Sequence, residues 1–169
     1  ATVSSGRLTF EQKVVVSAEL SFEEAIVIAN VDDPATGGVA DFDGDGDQDV
    51  LVTYRWGVNL LAGNGDGTFA SAANVTGSIN GARGITIADL DGDSDIDFAV
   101  GEVHGSRMLA WYENNGSASF TKRTIGGQSG HINGINHVDY NGDGDLDLVV
   151  AIDNPADNTG GKFGLFTSD

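Results

Sequence analysis

The chain contains no cysteine. No disulfide braces the fold, and no thiol is available as a nucleophile or a soft metal ligand. Proline is nearly absent, with 2 residues, and Met108 is the one methionine. Cations are scarce: 8 Lys and Arg face 26 Asp and Glu, for a formal net charge of -18. That balance excludes nucleic acid and anionic membrane surfaces as partners. No apolar run approaches the roughly 20 residues of a membrane-spanning helix, so no membrane insertion is expected. Helical periodicity is also scarce. The stretch "LSFEEAIVIA" (20–29) is the one place that allows a helical turn. The chain opens at Ala1 with no initiating methionine. A processed product is expected, and loss of a secretory signal fits.

Glycine is plentiful, with 25 residues, and points to many tight turns. A hydrophobic share of 40% over 169 residues is enough for one domain with a real core. The acidity is local. The stretches 41–49, 89–97 and 139–147 hold 14 Asp, and setting those aside takes the formal charge from -18 to -4. The charge therefore belongs to sites and not to a solubilising coat.

Those stretches repeat. "VADFDGDGDQDVLV" (39–52), "IADLDGDSDIDFAV" (87–100) and "HVDYNGDGDLDLVV" (137–150) align, with first acids Asp41, Asp89 and Asp139 spaced by 48 and 50 residues. Each acidic loop runs into a β-branched and aliphatic stretch that reads as a buried strand. Next comes a strand, a Gly/Asn turn and an aromatic: "VNLLAGNGDGTF" (58–69) and "LAWYENNGSASF" (109–120). "NGDG" and "NNGS" predict hairpins, because Asn and Gly tolerate positive φ. Polar outer strands follow. The expected fold is all-β, with about three four-stranded antiparallel propeller blades over 38–77, 84–128 and 134–169. A stacked solenoid is the weaker alternative, since its repeats are usually shorter.

Alternating carboxylates with glycine at the bend suit a hard cation. Ca²⁺ takes six to eight oxygens and accepts irregular geometry. Positions one, three, five and nine of each loop offer side-chain oxygens. They are Asp41, Asp43, Asp45 and Asp49; Asp89, Asp91, Asp93 and Asp97; and Asp139, Asn141, Asp143 and Asp147. Position seven, Asp47, Asp95 or Asp145, is expected to offer its backbone carbonyl. Gly46 and Gly144 permit the bend at position six, where the second loop has Ser94. Mg²⁺ would demand octahedral geometry and Zn²⁺ would want His or Cys. The helix–loop–helix calcium hand is excluded, because its twelfth position needs Glu and these loops have Val52, Val100 and Val150. Three merely solvated acidic turns would not repeat a nine-residue pattern three times.

These residues resemble the FG-GAP/VCBS repeats of integrin-α-like β-propellers. "DFDGDGDQD" is similar to that family's Ca²⁺ loop and "GNGDGTF" to its hairpin. The resemblance implies Ca²⁺ in the loop between the first two strands of each blade, about three ions per chain. It also implies an extracellular or cell-surface setting. It implies no single activity, since such repeats occur in adhesion proteins, lectins and accessory domains of secreted enzymes. Family propellers commonly have seven blades, and this chain has about three.

The ends of the chain complement each other. "SGRLTFEQKVVVSA" (5–18) aligns with "NGDGTFASAANVTG" (64–77), placing Phe10 on Phe69. "KFGLFTSD" (162–169) aligns with "RMLAWYEN" (107–114), or one residue beyond. Residues 7–17 therefore read as the outer strand that the last blade lacks. Supplied by another copy, that strand would join chains head to tail, as a ring or a filament; the alternatives are a carbohydrate-binding, lectin-like propeller and an accessory fragment of a larger secreted enzyme or adhesin. Longer connections at 21–38 and 153–161 are candidate inter-subunit or ligand loops. His104, His131 and His137 stand at no triad spacing from a Ser and an acid, so a non-enzymatic chain is expected. The Arg55-Trp56 hairpin is the candidate for glycan stacking, and Asn74 and Asn115 begin glycosylation sequons.

Overall fold

The computed structural model describes residues 24–105, 107–127, 130–153 and 160–168. Among them the chain is all-β, with eleven strands and no helix. They are β1 (Gly37–Ala40), β2 (Asp49–Tyr54), β3 (Gly57–Leu61), β4 (Ala73–Asn74), β5 (Ala82–Ala88) and β6 (Asp97–Glu102). Then follow β7 (Met108–Asn114), β8 (Phe120–Gly127), β9 (His131–Val138), β10 (Asp147–Asp153) and β11 (Lys162–Phe166). Three antiparallel meanders result: β1-β2-β3-β4, β5-β6-β7-β8 and β9-β10-β11. Their first strands meet, β1 with β5 and β5 with β9, as in blades set around a common axis.

The aliphatic run after each acidic loop forms the second strand of its sheet. "DFAVGE" is buried at every position of β6 because the middle sheet has a neighbour on both faces. Between the first and second sheets Phe42, Leu60, Phe98 and Tyr112 share one core, with Phe120 at its margin. Phe98 stacks on Tyr112 with ring centroids 4.8 Å apart. Phe120 stands edge-on to Phe98 at 5.0 Å and to Phe42 at 6.0 Å. Burying each such ring stabilises the fold by roughly 1.5–3 kcal/mol. Between the second and third sheets Ala99, Leu109, Ile132, Leu148 and Val150 form a second core, flanked by Leu90, Trp111, Ile125 and Phe166.

The Tyr112 hydroxyl is buried with no hydrogen-bond partner, and burial pushes its pKa up to about 12. An unsatisfied buried hydroxyl costs roughly 1–3 kcal/mol. Tyr112→Phe is therefore expected to stabilise the protein by about 1 kcal/mol, read as a higher urea midpoint at unchanged slope.

Two sequence expectations change. The helical turn over 20–29 does not form in its described part: residues 24–29 have no regular structure, and 20–23 lie outside the described residues. Ile26 and Val27 are 85% and 76% exposed, so no apolar surface among the described residues holds a lone helix turn, which nucleates poorly by itself. The chain that follows is drawn along β2 instead, where Ala35 N–H donates to the Thr53 carbonyl at 3.1 Å. The hairpin asparagines also behave differently from expectation. Positive φ falls on Gly65, Gly67, Gly116 and Ala118, and not on Asn64 or Asn115. The asparagines brace the turns with their side chains, Asn64 Nδ2 donating to Thr68 Oγ1 and Asn115 Oδ1 accepting from Ser117 N–H.

In the third sheet, Leu148 pairs with Phe166 as Phe98 pairs with Tyr112 in the second. Lys162 thus corresponds to Met108, the second of the two alignments the sequence allows. The donor strand expected at 7–17 and most of the connection at 153–161 lie outside the described residues.

Candidate metal centres

Each acidic loop joins the first strand of its sheet to the second, β1 to β2, β5 to β6 and β9 to β10. Its shape follows from its own side chains. At position one, Asp41 accepts from the N–H groups of Gly44 and Gly46 at 2.8 and 2.9 Å. Asp89 accepts from Gly92 and Ser94 at 2.8 and 3.0 Å, and Asp139 from Gly142 and Gly144 at 2.6 and 3.2 Å. Position three accepts from the N–H of position five: Asp43 from Asp45, Asp91 from Asp93, Asn141 from Asp143. Position five accepts from position seven: Asp45 from Asp47, Asp93 from Asp95, Asp143 from Asp145. The coil winds each loop around its own carboxylates.

The bend needs left-handed backbone at two places. Position four supplies Gly44, Gly92 and Gly142 at φ 75°, 80° and 81°. Position six supplies Gly46 at 93°, Gly144 at 101° and Ser94 at 81°. Ser94 adopts the glycine conformation despite its Cβ, a strain of about 1 kcal/mol or more. Ser94→Gly is expected to raise stability by about 1 kcal/mol, measured by chemical denaturation. A loss of stability would mean that the Ser94 side chain has a role in the loop.

Position nine is buried. Asp49, Asp97 and Asp147 are each 0% exposed. Each uses one oxygen to accept from its own loop, from Phe42, Leu90 or Tyr140 N–H at 2.9–3.0 Å. The other oxygen accepts from the end of the third strand, from Gly63, Asn114 or Ser168 N–H at 2.8–3.0 Å. This acid therefore fastens the loop to the sheet besides facing the ligand cluster. From the sequence alone this position reads only as a ligand. Its tie to a residue 14 to 21 positions away has no signal in the local motif.

Carboxylate oxygens of Asp41, Asp43 and Asp49 converge within 4.8 Å of one another, as do those of Asp89, Asp91 and Asp97. In the third loop Asp139, Asn141 and Asp147 make the same hydrogen bonds, with an amide oxygen at position three. Asp45 and Asp93 stand outside the converging groups. The carboxylates of Asp47 and Asp95 turn away and fill the space where a Cβ on Gly65 or Gly116 would stand. That leaves the position-seven backbone carbonyl as its available donor.

Among the described residues the loop acids have no cationic partner; the ion pair Arg123–Glu113 lies out on β7 and β8. Repulsion and burial hold the Asp97 carboxyl up at about 6, with desolvation the larger cause, against its two backbone donors. Desolvation likewise raises Asp43 and Asp91. The width of this oxygen-only cluster matches a cation whose bonds to oxygen are about 2.3–2.6 Å.

A pH dependence follows. Without metal, the folded chain holds the Asp97 proton up to about pH 6, whereas an unfolded Asp releases it near 3.9. Stability from this group is full below the unfolded value and is lost as pH rises through the folded one. In chelator the melting temperature is expected to be higher at pH 5 than at pH 7. With a saturating cation the order should reverse, because protons then compete with the metal. A chelated protein that melts lower at pH 5 would contradict the assignment.

Other singled-out residues act elsewhere. His137 Nδ1 lies 2.8 Å from Thr86 Oγ1, tying the third sheet to the second. The rings of His104 and His131 meet edge-on at 5.6 Å across the same junction. The Arg55 guanidinium lies 5.0 Å above the Trp56 ring and covers one stacking face of the indole. Asn74 accepts from Thr76 and Gly77 N–H and donates to the Tyr54 hydroxyl. Asn114, which the sequence reading passed over, clamps the first two sheets: its Nδ2 donates to the Phe42 carbonyl at 2.8 Å.

Fold and loops together define an all-β repeat protein whose blades carry acidic, cation-ready turns. The family model described as FG-GAP-like repeat matches residues 41–100 and again 89–150. These matches span more than half of the chain, which belongs to the FG-GAP-like repeat family. No curated protein matches it. Repeats of this kind are typical of extracellular proteins. Among the described residues no helix is long and apolar enough to cross a membrane.

Proposed function

We propose that the chain is a non-enzymatic, extracellular, Ca²⁺-binding structural module that associates with copies of itself head to tail. The observation that carries the metal assignment is the convergence of loop carboxylates with no cationic partner among the described residues. Asp41, Asp43 and Asp49 would hold one ion, Asp89, Asp91 and Asp97 a second, and Asp139, Asn141, Asp143 and Asp147 a third. Asp45 and Asp93, at position five, would join the first two sets as Asp143 joins the third. Ca²⁺ would supply the missing counter-charge. The residues' own task is to fix each loop to its sheet, through the position-nine acid, so that the loops keep the blades in register.

Self-association is supported by the face of the third sheet that points away from the second. Tyr140 is 69% exposed at the loop position where Phe42 is buried against the next blade. Leu165 is exposed where Leu60 is buried, and Phe163 is 83% exposed beside it. Positions that seal one blade against the next are thus open at this face. A further blade, supplied by another copy, would cover them. Calorimetric titration with Ca²⁺ and light scattering in Ca²⁺ test the two halves of the reading. Three sites and a particle larger than the monomer are expected. No heat on adding Ca²⁺ would overturn the first half, and a monomer at high concentration the second.

A further inference from the structure

A cavity of about 330 Å³ lies between the second and third sheets, lined by Leu90, Trp111, Ile125, Leu148 and Phe166. The matching place between the first and second sheets is filled. There Phe120, the first residue of β8, packs edge-on against both Phe42 and Phe98. Leu90 holds the loop position of Phe42, and Leu148 holds the strand position of Phe98. The cavity is therefore the place of an aromatic on a fourth strand beside β11.

We propose that this cavity is the seat for Phe10 on residues 7–17 of a second copy, whose strand pairs with the free edge of β11. The inference rests on the self-association reading and names its contact. The sequence of the segment supplies the match. "SGRLTF" (5–10) repeats the spacing of "NGSASF" (115–120), with Gly6 on Gly116 and Phe10 on Phe120. Phe120 stands opposite Asn114 in the β7–β8 ladder. Ser168 is the counterpart of Asn114, because its N–H reaches Asp147 as that of Asn114 reaches Asp97. Phe10 thus falls opposite Ser168 and over the cavity. Val15 then falls on Ile125, and Lys13 on Arg123, which pairs with Trp111. Leu165 is the counterpart of Trp111, so Lys13 and Leu165 face each other. Among the described residues the second edge of β11 is unpaired, and strand addition satisfies its N–H and C=O groups while the side chain in the cavity sets the register.

A second copy is the occupant, because the three sheets of the described residues fall short of the four to eight that would bring residues 7–17 round to β11 of the same chain. The absence of cysteine makes the test clean. Two full-length chains, Lys13→Cys and Leu165→Cys, are mixed in Ca²⁺ under mild oxidation. Directly opposed strand residues lie within disulfide reach, so a covalent heterodimer is expected. Val15→Cys, two residues out of register, should cross-link to Leu165→Cys far less. A chain carrying Lys13→Cys and Leu165→Cys together that closes an internal disulfide as a monomer overturns the second copy as occupant. No cross-link in either format overturns the seat. Full-length Phe10→Ala is expected to weaken association more than about tenfold, as loss of a buried aromatic anchor does. Its unchanged Ca²⁺ stoichiometry would show that it folds. Undiminished association of Phe10→Ala would sink the seat and leave self-association standing, whereas a wild-type chain that never associates would sink both.

Discussion

Chelating Ca²⁺ is expected to lower the melting temperature by on the order of 10 °C. At free Ca²⁺ tenfold above Kd, one site stabilises by about 1.4 kcal/mol, and three independent sites by about 4 kcal/mol. A chain of this size shifts by roughly 2–4 °C per kcal/mol. The effect arises because each loop then keeps its carboxylates crowded without a counter-charge. Differential scanning calorimetry in Ca²⁺ and in excess chelator measures it, and coincident transitions would reject the metal assignment. Substitutions separate the ligands from the fasteners. Asp43→Ala should remove one site, taking the calorimetric count from three to two, and should change little in chelator, since its accepted N–H lies in an exposed turn. Asp97→Ala should also remove one site, but it should destabilise the protein in chelator as well. It leaves the N–H groups of Leu90 and Asn114 without their acceptor. A buried donor left unsatisfied costs roughly 1–3 kcal/mol. If both variants behave alike in chelator, the fastening role of position nine is wrong.

The loops were legible in the sequence because their information is local. An acid at every second position, with glycine between, encodes both the coil and the cluster within nine residues. The strands were legible for a similar reason: "DVLVTY", "DFAVGE" and "DLVVAI" follow each loop at a fixed distance. What the sequence hid is long-range. The buried state of Asp49, Asp97 and Asp147 depends on the end of a strand two elements later. Asn114 reads as a turn residue, yet its amide spans 72 positions to the Phe42 carbonyl. The histidines carried no motif, and their contacts join two blades. The run "EEAIVIA" misled because its apolar residues suggest a buried helix turn, whereas Ile26 and Val27 stand exposed, with no apolar surface among the described residues to meet. Backbone conformation at Ser94 was half visible: the repeat marks its place as a glycine position, but only the structure shows serine in the left-handed region.

Deleting residues 1–17 is expected to convert an associating chain into a monomer while three Ca²⁺ still bind. The segment "RLTFEQKVVVS" carries Phe10 and the β-prone run Val14-Val15-Val16, which favours a strand over a free tail. At the other end, β11 pairs only with β10, and its second edge is unpaired among the described residues. Paired, the two would bury an aromatic in the cavity between Leu90 and Leu148 and cover Leu165 at the same time. The carboxylate hydrogen bonds that coil each acidic loop and fasten it come from its own sheet, and the tie that a neighbouring sheet adds, from Asn114 and Ala118, ends on the backbone carbonyl of Phe42. Binding and assembly are therefore separable, and sedimentation with parallel calorimetry reads both on one sample. A truncated chain that assembles as the full one does would mean that the exposed face bearing Tyr140 and Phe163 suffices for the contact. A truncated chain that loses Ca²⁺ would mean that the third blade needs its fourth strand to hold its loop, and the separation argued from the hydrogen bonds would fail.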